Sequence, residues 1–270
     1  MCPEFVPKGL IDELLHRGVV PPGRAKKIRG HATWTGSNCA GRIGRHGLHY
    51  LKNFEHTAEP YKLQEHDVAS LSFLKLSICS APPRDLQMVK DVDYPVVLYS
   101  DDFFAPGQPT RIGWVIFVPG QQPIGTTAVI PEEHYMQWQE RQTQNTPTES
   151  FAAPVATMHH KALLENRSVI WFVDNQGAAS ALIKGSSFHT DFSFLAERSH
   201  ALWRVMNTRT WIEWNDRDSN PSYGLSRLGL HDPWTLKQGW LLQAVLVPAF
   251  LYTESAFERI LDPVFQPAIQ

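Results

Sequence analysis

The stretch "VVLYSDDFF", Val96–Phe104, is an apolar run closed by two adjacent aspartates. As a strand, its period of two sets Tyr99 and Asp101 on one face and Ser100 and Asp102 on the other. One aspartate can therefore face a site while its neighbour faces away. Two further β-rich runs follow, "RIGWVIFV" and "IGTTAVI", separated by "APGQPT" and "PGQQP". Those spacers are turn chemistry for successive hairpins, so the three runs predict an antiparallel meander. Next come "TESFAAPVATMHHKALL" as a helix, "SVIWFVD" as a buried strand, "NQGAASALIKG" as a short helix ended by Gly185, "DFSFLAERSHALWRVMN" as a longer helix, and "TWIEWND" as a last strand. The predicted order is β-β-β-α-β-α-α-β, then a loop and a helix.

Upstream the texture differs. "GLIDELLHRGVV" and "HDVASLSFLKLSI" carry apolar residues at helical spacing, so residues 1–90 read as a small, mainly helical segment. Residues 91–232 then form the α/β domain and 233–270 a helical tail. With 270 residues, 43% of them hydrophobic, the chain has ample material for a core. The net charge of -2 hides one cluster: Arg24, Lys26, Lys27, Arg29, Arg42, Arg45 and Lys52 fall in a span without Asp or Glu, a pattern able to track phosphates. Cys2, Cys39 and Cys79 are widely spaced and odd in number, which suggests neither a disulfide framework nor a zinc knuckle. No signal-peptide core opens the sequence, and "WLLQAVLVPAFLY", broken by Gln243 and Pro248, is too short for a bilayer span. An intracellular protein with no membrane contact is expected.

"YSDD" has the look of a polymerase palm motif, but a palm holds its metals between two strands and needs another aspartate well upstream. The upstream sequence is helical, which removes that reading. Partners for Asp101 lie downstream instead: Asp174 ends the second buried strand, and Glu149 stands early in the helix before it. If the first and fourth strands are neighbours, the three carboxylates converge. Such a hard-oxygen set suits magnesium or manganese rather than zinc. Taken singly, each has an ordinary explanation: Asp101 as a turn residue, Glu149 as an exposed acid, Asp174 as a helix N-cap. Their order on this pattern is what points to a metal site.

Together "LYSDDFF", "TESFAAPVA", "FVDNQGAASALIKG", "WIEW" and "SNPSYGLSR" resemble the ribonuclease H domain of a retroelement reverse transcriptase, over about residues 94–230. Residues 10–90 resemble the thumb or connection region that precedes it, without the polymerase palm. The resemblance implies a Ribonuclease H-like fold, a five-stranded mixed sheet of three antiparallel strands and two more, flanked by helices. It further implies two-metal-ion hydrolysis of the RNA strand of RNA:DNA hybrids, with Asp101, Glu149 and Asp174 on the family's first three metal ligands and Mg2+ or Mn2+ as cofactor. A separate reverse transcriptase polymerase chain is a candidate partner.

The fourth ligand departs from the pattern. Tyr223 stands where the family has an aspartate, and a phenol is a poor magnesium ligand at neutral pH. Asp218, or Asp216 beside it, is the candidate substitute. Pro154 adds a second departure inside the helix that carries Glu149. The alternative function is therefore a catalytically inactive nucleic-acid-binding remnant, or an interaction domain. Trp203, Trp211 and Trp214 read as core, His159 and His160 as ordinary helix residues, and "GRIGRHG" as a loop or tight helix contact.

Overall fold

In the computed structural model, residues 7–35, 42–80, 94–248 and 251 are described, and they fall into two units, 7–80 and 94–251. The first comprises α1 (Pro7–Arg17), β1 (Val19–Val20), α2 (Arg24–Thr35), α3 (Arg45–Asn53), β2 (Tyr61–Lys62) and α4 (Glu65–Ser80). Its helices bury Ile11, Leu14, Leu71 and Leu74 from the two stretches with helical spacing, and Ile28 and Leu51 of α2 and α3 join them in the core. "GRIGRHG" serves both expected purposes. Gly44 takes a left-handed conformation at the N-cap of α3, and a Cβ on Gly47 would stand 2.7 Å from the Ser70 carbonyl of α4.

The second unit comprises β3 (Val96–Phe103), β4 (Arg111–Phe117), β5 (Ile124–Val129), α5 (Glu132–Tyr135), α6 (Asn145–His159), α7 (Lys161–Leu164), β6 (Ser168–Val173), α8 (Gln176–Lys184), α9 (Thr190–Val205), β7 (Arg209–Trp214), α10 (Tyr223–Arg227), α11 (Pro233–Lys237) and β8 (Leu241–Ala244). The strands form one sheet in the order β7-β6-β3-β4-β5-β8. β3, β4 and β5 are the antiparallel meander, while β6 runs parallel to β3 and β7 parallel to β6. The first and fourth strands of this unit are thus neighbours, as the convergence of Asp101 and Asp174 requires. The sheet is mixed and flanked by helices.

Leu98, Ser100, Ile112, Trp114 and Ile116 share the face covered by α6, where Phe151, Val155 and Trp171 complete the core. Helix α6 runs unbroken through Pro154, although proline removes the N–H that would bond the Ser150 carbonyl. Every residue from Pro147 to Thr157 is buried. Packing on all sides holds a helix that its local sequence weakens.

Two expectations are corrected here. The sheet has six strands rather than five, and residues 241–244 are not part of a helical tail. Leu241–Ala244 pairs parallel to β5, with Leu241 N–H donating to the Pro123 carbonyl at 3.0 Å. A four-residue edge strand has too little alternation to be told from any apolar run. Residues 252–270 of that tail lie outside the described residues.

On the opposite face α10 lies against β3, β4 and β5. Gly113 permits this approach, since a Cβ there would stand 2.5 Å from the Ser226 backbone nitrogen and 2.7 Å from the Leu225 carbonyl carbon. Gly113 is also the register partner of Asp101, so the close approach sets α10 beside that carboxylate. Gly113→Ala is expected to cost about 1–3 kcal/mol, the range for overpacking a filled site. Urea unfolding measures this, and an unchanged midpoint would mean that α10 yields without cost.

Candidate metal centre

Asp101, Glu149 and Asp174 each place one carboxylate oxygen so that the three oxygens lie within 4.8 Å of one another. Different elements deliver them: β3 carries Asp101, α6 carries Glu149, and Asp174 follows the end of β6. The helix cap that Asp174 could have supplied falls to its neighbour. Asn175 Oδ1 accepts from the Ala178 N–H at 3.0 Å, leaving the Asp174 carboxylate outside the capping of α8.

Glu149 is fully buried. Trp171 Nε1 donates to Ser100 Oγ at 3.0 Å, and Ser100 Oγ donates to Glu149 Oε1 at 3.3 Å, which fixes the carboxylate in place. Its Oε2 has no hydrogen-bond partner, and Asp174 Oδ2 has none closer than the Arg217 guanidinium at 3.6 Å. Buried carboxylate oxygens without donors, grouped with like charges, are costly unless a cation joins them. The donor set is all oxygen, and it fits a hard divalent ion.

Burial pushes the Asp101 carboxyl up to about 7, with the Ser226 hydroxyl opposing the shift and the charge of Asp174 adding to it. Burial likewise raises Glu149 well above the carboxylate range, followed by the charges of Asp102, Asp101 and Asp174. Asp102 is not one of the converging three. It lies on the Ser100 face of β3, buried with Oδ2 unpartnered, and burial and the charge of Asp101 raise it too. It shares with Ser100 the face that α6 covers, opposite to Asp101, and its charge acts on Glu149.

These shifts have a sign for stability. A carboxyl whose folded pKa is raised stabilises the fold fully below its ordinary value near 4, and that stability is lost as pH rises through the folded value. Buried His134 and His160, held neutral by desolvation, act in the opposite sense on acidification. A comparison of variants cancels them. In chelator, Asp101→Asn is expected to melt above the native protein at about pH 8, with the gap closing towards about pH 5. Calorimetry at the two pH values checks this; a gap that widens in acid would contradict it.

The far side of the centre is built by the segment after β7. Asn220 Nδ2 donates to the Ser100 carbonyl at 2.7 Å and anchors the loop to β3. Ser226 Oγ donates to Asp101 Oδ2. Arg227 Nε stands 4.0 Å from that same oxygen, and Arg217 Nε is 3.6 Å from Asp174 Oδ2. Ser226 and Arg227 belong to the quoted "GLSR" motif, but only the fold reveals their contact with Asp101. Asn220 lies in the quoted "SNPSYGLSR" stretch as well, whereas Arg217 carried no signal of its own.

Tyr223 opens α10 at 42% exposure, its ring 4.9 Å from the Arg227 guanidinium. Asp218 does not join the three carboxylates; it lines a pocket of about 620 Å³ with Tyr99, Phe117, Arg217, Tyr223 and Trp234. Asp216 is engaged elsewhere, accepting from the Ser219 N–H at 3.1 Å. Trp203 is core as expected, whereas Trp211 and Trp214 stand exposed on β7. His159 and His160 contact Gln243 and Thr126 and belong to no metal-ligating cluster among the described residues.

In the first unit the basic residues divide. Arg24 donates to Glu13 Oε2 at 2.5 Å, and Arg29 pairs with Glu55, while Lys26 and Lys27 are exposed on α2. The span free of acids in sequence therefore meets acids from α1 and from the residues after α3. Arg42 is exposed and Arg45 half-buried.

The sequence matches no family model and no curated protein. Among solved structures, the ribonuclease H1 of the halophilic archaeon Halobacterium salinarum is similar at 18% identity, over 47% of this chain and 90% of that one, with a TM-score of 0.38. The second unit itself is a mixed sheet, an antiparallel meander extended by parallel strands and flanked by helices. No described helix is long and apolar enough to cross a membrane.

Proposed function

We propose that the second unit is a metal-dependent nuclease of the ribonuclease H type that hydrolyses the RNA strand of RNA:DNA hybrids. The convergence of Asp101, Glu149 and Asp174 at the ends of two adjacent parallel strands carries this reading. These three residues would hold Mg2+ or Mn2+, which when bound lowers the pKa of water and stabilises charge on phosphate oxygens. The chain's own residues supply the positioning: Ser100 fixes Glu149, Ser226 fixes Asp101, and Asn220 holds the loop that brings Arg227 to the centre. Choosing RNA over DNA demands contacts to the 2′-hydroxyl through the minor groove.

The resemblance to retroelement reverse transcriptases supports an origin in such an element, action inside the cell, and a polymerase chain as partner. In that setting the first unit adds phosphate contacts through Lys26 and Lys27, with Arg42 and Arg45 as further candidates. Arg24 and Arg29, already paired with acids, contribute less than their sequence suggested. One observation favours a second reading, a binding remnant without catalysis: among the described residues no fourth carboxylate joins Asp101, Glu149 and Asp174, and Tyr223 stands where the resemblance implies an aspartate.

The deciding experiment incubates the purified chain with a hybrid labelled on each strand, with magnesium, manganese or chelator. Cleavage of the RNA strand alone, dependent on the ion, is expected. Hybrid binding without cleavage under every condition would establish the remnant.

A further inference from the structure

Arg227 is held in an unusual position for a surface arginine. Its side chain is only 20% exposed, its guanidinium carbon stands 4.8 Å from the Phe103 ring centre and 4.9 Å from that of Tyr223, and its Nε reaches within 4.0 Å of Asp101 Oδ2. That Nε is buried and has no hydrogen-bond partner. Two aromatic faces hold the cation, and a donor remains open next to the acidic centre. A guanidinium stays charged at any working pH and offers a planar fork matched to phosphate.

We infer that this centre takes one divalent ion, held by Asp101, Glu149 and Asp174, and that Arg227 supplies the second positive charge, its guanidinium receiving a phosphate oxygen of the nucleic acid. This rests on the nuclease reading and refines it. Tyr223 then has a purpose other than failed ligation. Its ring is one of the two faces that orient Arg227, where a carboxylate would attract a second ion instead.

Arg217 is the nearest competitor for this role, since its Nε approaches Asp174 at 3.6 Å. Its side chain is 61% exposed, so its charge is screened by solvent and its geometry is not fixed by stacking. Among the described residues, Arg227 alone combines shelter, orientation and a donor without a hydrogen-bond partner beside the centre.

The test has two measurements. Titration with Mn2+, read by calorimetry and by electron paramagnetic resonance, is expected to give one ion per native chain and two per Tyr223→Asp chain. Binding of a short RNA:DNA hybrid in Ca2+, followed across salt concentrations, is expected to weaken about tenfold in Arg227→Ala. The slope of log K against log salt should fall by about one, the signature of a lost phosphate contact. Arg227→Gln, which keeps length and loses charge, is expected to behave alike and answers the question should the alanine variant not fold. Two Mn2+ ions per native chain, or a folded Arg227 variant with native affinity and slope, would overturn the inference. Absence of any Mn2+ binding would instead remove the nuclease reading on which it stands.

Discussion

Asp174→Asn is expected to lower metal-dependent cleavage of the RNA strand by at least about 100-fold, beyond the usual cost of losing an outer-shell partner of a metal ligand. The substitution keeps shape and removes one anionic oxygen from a set of three that lie within 4.8 Å of one another. The fold has little reason to object. Asn175 already caps α8, and the backbone carbonyl of residue 174, which accepts from Trp214 Nε1 at 2.9 Å, is unaffected. Removing the charge also relieves its repulsion of Asp101 and Glu149, so the variant should melt no lower than the native protein in chelator. Initial rates on a labelled hybrid, beside a thermal melt, measure both effects. A well-folded Asp174→Asn protein with native rates would place the chemistry elsewhere.

Tyr223→Asp is expected to raise cleavage at least about tenfold, the rate effect of some 1.4 kcal/mol off the barrier. The position is tolerant: Tyr223 is 42% exposed, and an acid in the first turn of α10 suits the partial positive charge at a helix N-terminus. The new carboxylate supplies the oxygen that a second ion lacks in the native site. Asp174→Asn added to this variant should abolish the gain, because the ions would lose a shared anchor. If the native chain and Tyr223→Asp both bind hybrid and neither cleaves it, the fault lies at Glu149 on its proline-containing helix, and the binding remnant prevails. A native chain that cleaves well and loses activity with Asp218→Asn would instead mean that the loop carries Asp218 to the centre when substrate is bound.

Strands β3 to β7 and helices α6, α8 and α9 were legible because their evidence is local. Period-two alternation, turn residues and 3.6-residue spacing are properties of short windows, and each of these elements is long enough to show them. The same windows placed Asp101 and Asp174 at strand ends and Glu149 early in its helix. Position 223 stood out only through the family resemblance, which implies an aspartate where this sequence has tyrosine. Pro154 shows the limit of such windows: a local rule argued against regular helix, and burial on every side outweighed it.

Contacts between distant parts of the chain were decided only by the tertiary structure. Asn220 anchors to Ser100 across 120 residues and Ser226 reaches Asp101 across 125. No periodicity encodes either pairing. Glu13 and Glu55 neutralise Arg24 and Arg29 from outside the basic span, which made a run free of acids look more available than it is. β8 joins the sheet because the exposed edge of β5 offers backbone donors and acceptors to whatever extended segment lies beside it. Arg227 follows the same logic. Its charge is evident from its letter alone, but its place between two rings and a carboxylate exists only once Gly113 has let α10 onto the sheet.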